Sequence, residues 1–274
     1  MKHIPRKRFG QHFLTDPHII NELVMLINAE QKDHLVEIGP GLGALSQYLI
    51  GTSDRYDAVE LDRDLIAPLT KKFSSYPSWQ LHQSDALEFD FSTLKKDNRL
   101  LRVVGNLPYN ISTPLLFHLL EFKSIIQDMH FMLQQEVVER LTAQPGDTNY
   151  GRLTIMMQYH CTAEYLLHVP PEAFDPPPRV ESAVVKLTPH HQYQHTADVQ
   201  LALSQIVTTA FSHRRKTIGN SLKSLLPAAA LETAEINSTL RPQQLSLPEY
   251  LRLAQWLTNF STGDSPHEPS TRRN

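Results

Sequence analysis

Up to about Pro189 one pattern recurs, and it restricts the fold more than any other feature of the chain. A short apolar run leads into a turn, and the turn into an amphipathic stretch. Residues 34–38 read HLVEI and precede a glycine-rich turn and a helix-like stretch to Ile50. Residues 56–61 (YDAVEL) precede a helical run over 62–73. Residues 100–105 (LLRVVG) precede a turn and the helix-like 112–120, and the apolar run 129–133 precedes a charged helix around 136–141. Strands alternating with helices predict βαβ units and a mostly parallel sheet, hence an α/β fold. The last apolar run, 182–187 (SAVVKL), is expected to close the sheet as an antiparallel strand.

Beyond Pro189 the strand signal stops. Residues 190–196 (HHQYQHT) are polar and read as a linker; their histidines are irregularly spaced with no carboxylate or thiol beside them, so no metal site is expected. Val199, Leu203, Ile206, Val207 and Phe211 then recur at helical spacing. Ser246-Leu247-Pro248-Glu249 reads as a capping box, followed by Leu253, Trp256, Leu257 and Phe260 on one core-facing stripe. The expected organisation is a catalytic domain over 1–189 with a basic N-terminal segment, a linker over 190–197, a small all-helical domain over 198–260 and a disordered polar tail over 261–274.

Composition narrows the class. A chain of 274 residues with 41% hydrophobic and 20% charged residues reads as an ordinary globular protein. One cysteine, Cys161, excludes a disulfide framework and a cysteine-based zinc cluster. No apolar run reaches the roughly 18 residues of a membrane span, and the basic start lacks the apolar core of a secretory signal, so a cytoplasmic location is expected. The net charge of −3 argues against nucleic-acid binding until its distribution is read. Lys2, Arg6, Lys7 and Arg8 form one acid-free basic patch, and Arg214, Arg215, Lys216 and Lys223 form another. Each patch reads either as a solvated face or as a surface for phosphates.

The turn after the first apolar run carries chemistry. Gly39, Gly41 and Gly43 are spaced GxGxG, which lets backbone N–H groups approach a ligand. Glu60 ends the next strand about 20 positions on, where a carboxylate can accept both hydroxyls of a ribose. Asp85 follows the third strand-like run, residues 79–82, where an acid can accept from an adenine amino group. The set fits an adenosine ligand at the carboxyl edge of the sheet. The pyrophosphate spacing GxGxxG is missing, so S-adenosylmethionine (SAM) fits better than a dinucleotide.

Asn106-Leu107-Pro108-Tyr109 follows the fourth strand and matches the (N/D/S)-x-P-(Y/F/W) signature of amino-group methyltransferases. The exocyclic nitrogen of adenine is a poor nucleophile, because its lone pair is delocalised into the ring. The Asn106 amide oxygen and the Leu107 carbonyl can accept its two N–H bonds, holding it against a methyl donor and favouring the pyramidal form. Tyr109 offers a π-face for the base, and Pro108 stiffens the turn.

On these motifs, together with residues 7–14 (KRFGQHFL), 150–153 (YGRL), 174–182 (FDPPPRVES) and 211–216 (FSHRRK), the chain resembles the bacterial small-subunit ribosomal RNA adenine dimethyltransferases. That family also holds large-subunit enzymes of macrolide resistance. The resemblance runs from Arg6 to Phe260. It implies a Rossmann-like class I SAM-dependent methyltransferase fold with a small C-terminal helical domain. It implies SAM contacts at His12, Leu14, Gly39, Glu60, Asp85 and Asn106, with Gly41 in the same turn, and an aromatic at Phe174 against a flipped adenine opposite Tyr109. Buried loop packing is the other reading of Phe174. His12 departs from the family pattern, where many members carry Asn, and its protonation would make cofactor affinity depend on pH. Arg6, Lys7, Arg8, Arg214, Arg215, Lys216 and Lys223 are the implied RNA contacts. The implied substrate is a pair of adjacent adenosines in a hairpin loop near the 3′ end of 16S rRNA, within an immature small ribosomal subunit, and the enzyme is expected to act as a monomer. Two alternatives stay open: a 23S rRNA methyltransferase of drug resistance, and a ribosome-assembly factor whose binding outweighs its catalysis.

Overall fold

The computed structural model describes residues 11–261, which fall into two compact units. Arg6, Lys7 and Arg8 and the tail from 262 onward lie outside the described residues. The first unit takes in residues up to 142 together with 160–190. Its chain runs through β1 (Phe13–Leu14), α1 (Pro17–Ile27), β2 (His34–Ile38), α2 (Ser46–Leu49), β3 (Arg55–Glu60), α3 (Arg63–Phe73) and β4 (Trp79–Gln83). It continues through β5 (Leu101–Asn106), α4 (Ser112–Glu121), β6 (Ile126–Gln134) and α5 (Gln135–Thr142). It returns with β7 (Cys161–Val169), β8 (Phe174–Asp175) and β9 (Ser182–Pro189).

Seven of these strands form one sheet in the order β4-β3-β2-β5-β6-β9-β7. The pairs from β4 to β6 are parallel, whereas β9 runs antiparallel to both β6 and β7. The fold is thus α/β and Rossmann-like, as the alternation implies. All five residues of β2 are buried, which is why its sequence is a continuous run rather than an alternating one. Both β3 and β5 flank β2, so the strand order reverses there. A crevice opens beyond the carboxyl ends of strands at such a point.

Helix boundaries follow from their caps. The Asp16 carboxylate accepts from the N–H groups of His18 and Ile19 at 2.8 and 3.3 Å, and Pro17 occupies the first turn of α1. Asn28, with φ of 46°, closes α1 in the left-handed region. Asp62 caps α3 in the same manner as Asp16 caps α1.

Two expectations need correction here. Residues 182–187 do form an antiparallel strand, but β9 lies inside the sheet and β7 closes it. The strand β7 is half exposed along its length and lacks a clean apolar run, as an edge strand can. The stretch leading to Ile50 contains only the four residues of α2 after a series of turns.

The second unit combines 143–159 with 191–261. It is helical throughout: α6 (Arg152–Gln158), α7 (Ala197–Ser212), α8 (Ile218–Leu222), α9 (Ala228–Thr233) and α10 (Leu247–Ser261). A single division at 189/190 misses that 143–159 belongs with these helices. The reason is burial: Tyr150, Ile155 and Tyr159 share one apolar cluster with Leu203, Ile206, Leu222 and Tyr250. The polar stretch after Pro189 is partly docked as well, since Tyr193 stacks on Tyr159 with centroids 5.7 Å apart. At the start of α10 both the N–H and the hydroxyl of Ser246 donate to the Glu249 carboxylate, which is half of the reciprocal box. Leu253 is buried on the expected stripe, whereas Phe260 is exposed and stacks on Trp256.

Candidate active site

The glycine turn begins where β2 ends. Gly39, Gly41 and Gly43 have φ of +67°, +59° and +74°, values that side chains with a Cβ rarely adopt. The turn is tied down on all sides. Gly39 N–H donates to the Val59 carbonyl at 2.9 Å, and Gly43 N–H donates to Pro40 at 2.8 Å. The Lys72 ammonium reaches back from the end of α3 to the carbonyls of Leu42 and Gly43 at 3.0 and 3.3 Å. Gly41 N–H donates to Glu60 at 3.1 Å.

Glu60 sits at the end of β3 and is only 6% exposed. Its second oxygen accepts from the Asp62 N–H at 2.8 Å. Burial raises the carboxyl above the ordinary glutamate range, and the backbone N–H groups of Asp62, Gly41 and Leu61 pull it back. Each oxygen takes at least one N–H, and the carboxylate, with about four lone-pair sites, keeps room for a further donor. Asp85 follows β4, and its side chain accepts from the Leu87 N–H at 2.9 Å.

Gly105 brings the reacting loop close. A Cβ at that position would lie 2.5 Å from the Ile38 carbonyl, so only glycine lets β5 end against the glycine turn. Asn106 comes next, and its Nδ2 donates to the His12 carbonyl at 2.9 Å. The amide nitrogen is thereby engaged, and Oδ1 is the acceptor that remains. Leu107 N–H donates to the Met132 carbonyl at 3.1 Å, which anchors the loop to β6. The Tyr109 hydroxyl pairs with that of Ser182 at 2.6 Å. The Tyr109 ring stacks with the His12 imidazole, centroids 5.8 Å apart and planes at 24°.

The N-terminal segment completes the site. The strand β1 pairs antiparallel with β8, opposing Leu14 to Phe174. Gln11 Nε2 donates to Asp62 at 2.9 Å. His12 Nδ1 lies 2.7 Å from the Pro176 carbonyl and, because a carbonyl only accepts, carries the proton.

One cleft is lined by His12, Leu14, Gly39, Gly41, Glu60 and Asp85, and by Asn106, Leu107, Pro108 and Tyr109. All the residues expected at the cofactor thus come together with the reacting loop. Phe174 does not join them. It is 4% exposed and packs in the apolar cluster with Leu14, Ile20 and Val184, because the β1–β8 ladder turns its ring into the core. The aromatic beside Tyr109 is His12. Arg214, Arg215, Lys216 and Lys223 are exposed on the second unit around the start and end of α8. Arg214 donates to the Thr148 carbonyl. Among the described residues no cluster of His, Cys, Asp and Glu has the geometry of a metal site.

Sequence reasoning missed three parts of the cleft. Leu42 and Leu61 present exposed apolar side chains to it, with nothing polar to mark them. Glu37, in mid-β2, lies under the cleft and is fully enclosed. It accepts from Tyr56 at 2.7 Å and from the Ser46 hydroxyl on the same oxygen. Burial pushes its carboxyl up to about 7 against those two bonds. A charged letter inside an otherwise apolar strand was the available signal.

Comparison with known proteins agrees with this geometry. Residues 2–259 match the family model described as ribosomal RNA adenine dimethylase. A Pseudomonas putida protein named ribosomal RNA small subunit methyltransferase A is 52% identical over 258 residues, which is 94% of this chain and 97% of that protein. Proteins of the same name from Pseudomonas aeruginosa and Marinobacter nauticus are 53% and 51% identical, each over 94% of this chain and over 97% and 93% of their own lengths. Among solved structures, a dimethyladenosine transferase from Plasmodium falciparum superposes with a TM-score of 0.78 at 24% identity, covering 92% of this chain and 98% of that one. The 23S rRNA methyltransferase ErmE gives 0.71 at 24% identity, covering 89% and 99%. These two structures share the fold. On the family match and the relatives above half identity, the chain belongs to the ribosomal RNA adenine dimethylase family.

Proposed function

We propose that the chain transfers methyl groups from SAM to the N6 amino groups of two adjacent adenosines in a hairpin loop near the 3′ end of 16S rRNA, within an immature small ribosomal subunit. The product is N6,N6-dimethyladenosine. The observation that carries this reading is the convergence of Asn106-Leu107-Pro108-Tyr109 with the glycine turn, Glu60 and Asp85 on one cleft.

SAM, when bound, supplies an electrophilic methyl on a sulfonium. Glu60 holds the ribose hydroxyls, and Asp85 accepts from the adenine amino group of the cofactor. The glycine turn, whose own glycine N–H groups are engaged within the protein, lets the ligand approach the backbone closely because its glycines carry no Cβ. Gly39, Gly41, His12 and Leu14 shape the same wall. The target base leaves its stack and lies against Tyr109. The Asn106 oxygen and the Leu107 carbonyl accept its amino N–H bonds, and these bonds strengthen as the nitrogen becomes cationic. No strong base is required, because the cationic nitrogen loses its proton readily. Arg214, Arg215, Lys216 and Lys223 contact phosphates of the RNA. The core position of Phe174 leaves it out of the stack as described.

The small subunit is favoured over the large one by relatives above half identity that carry the small-subunit name. The test is incubation with labelled SAM and each purified, unmodified ribosomal subunit, followed by mapping of the modified nucleotide. Label on two adjacent adenosines of the small subunit is the expected result. Label on the large subunit alone overturns the reading.

A further inference from the structure

We propose that Ser182 is a positioning residue for methyl transfer, acting through the ring of Tyr109; the proposal rests on the function given above. The two hydroxyls are 2.6 Å apart and 73 residues apart in sequence. A phenylalanine would offer the same π-face to a base, so stacking alone does not explain the hydroxyl. Its partner does. Ser182 is fully buried and opens β9, in register with Gln134 of β6 on one side and Val169 of β7 on the other. It is therefore held by strands on both flanks.

The loop that bears Tyr109 has its own anchors. Leu107 N–H bonds to β6, and the Ser112 hydroxyl donates to the Tyr109 carbonyl at 3.1 Å. These fix the backbone, and the His12 imidazole lies against one face of the ring, but none of them holds the hydroxyl end. The Ser182 bond fixes the far end of the ring. With both ends held, the tilt of the π-face is set by the central sheet, the same sheet that places Asn106 at the end of β5. The base is thereby referenced to the amide oxygen that receives its amino group. Small errors in that alignment are costly, since a displacement of about 1 Å can lower a rate by about 10²-fold. Burial raises the Tyr109 hydroxyl above its ordinary range, so it remains a neutral partner for the serine.

The test is a double-mutant cycle with purified unmodified small subunits and labelled SAM. S182A and Y109F should each lower kcat roughly three- to tenfold, the range of one lost neutral hydrogen bond, with the SAM KM unchanged. The double variant should be no slower than either single one, because both remove the same bond. S182T, which keeps the hydroxyl, should recover the rate. Multiplicative losses in the double variant, or S182A with wild-type kcat per folded molecule, would overturn the role. Wild-type protein that methylates neither subunit would refute the proposed function itself, and is read from the unmutated enzyme alone.

Discussion

Replacing Glu37 with glutamine should stabilise the protein at alkaline pH and leave it nearly unchanged at acid pH. In the fold the Glu37 carboxyl is enclosed, with a pKa raised from 4.5 to about 7. The folded state thus binds a proton that the unfolded chain has already released between these values. Stability falls as pH rises through that window and levels off above about 7. A shift of that size corresponds to about 3 kcal/mol of destabilisation once the group is forced to ionise. The amide that replaces the carboxyl keeps an oxygen to accept from Tyr56 and Ser46 but carries no charge, so the variant escapes the penalty. Urea unfolding of both proteins between about pH 5 and 8.5 isolates the effect, because all other groups titrate alike in the two. The difference in unfolding free energy should grow from about 1 kcal/mol at about pH 5 to about 3 kcal/mol at about pH 8. A difference that stays constant over the range would refute the reasoning, since it would mean that Glu37 does not change its charge there.

Asn106→Ala should slow the first methyl transfer by about 10²–10³-fold, read by mass spectrometry of nucleosides from treated RNA; near-normal dimethylation would remove Asn106 from its role. Glu60→Ala should weaken SAM binding by about 1.5–3 kcal/mol in calorimetry, and an unchanged affinity in a folded variant would end that assignment. Alanine at Arg214, Arg215 and Lys216 together should weaken binding to the small subunit and flatten its salt dependence while sparing SAM affinity. An unchanged salt slope with weaker SAM binding would mark the cluster as structural.

The parts of the fold that were legible in the sequence share one property. The strands β2, β3, β5 and β6 are almost wholly buried, so each contains a short apolar run, and charged residues inside them, such as Asp57 and Arg102, are paired within the fold. The strand β7 is half solvated and mixes Thr, Glu, Tyr and His with its apolar residues, so its pairing with β9 is a tertiary fact without a local signature. The same limit explains Phe174. An aromatic in a proline-rich loop suits a base pocket and a core equally, and only the ladder between β1 and β8 decides which way the ring points. Polar residues of the site were easier, because Glu60, Asp85 and Asn106 each stand at the carboxyl end of a strand, where the α/β pattern places ligand chemistry. The clasp from Gln11 to Asp62 joins residues 51 positions apart and could be read only from the folded chain.

The division of the helical unit into two stretches of chain has a consequence for synthesis. Residues 143–159 leave the ribosome before any of the helices they pack with. Tyr150, Ile155 and Tyr159 have their apolar partners on α7 to α10, whose last members are made about a hundred residues later. At roughly 5–20 residues per second, the nascent chain carries these side chains uncovered for on the order of 5–20 s. A protein released early, after β9 but before α7, would keep them uncovered for good. Truncated chains of this kind are therefore natural clients for chaperones and proteases, and completion of the C-terminal helices is what withdraws the segment from them.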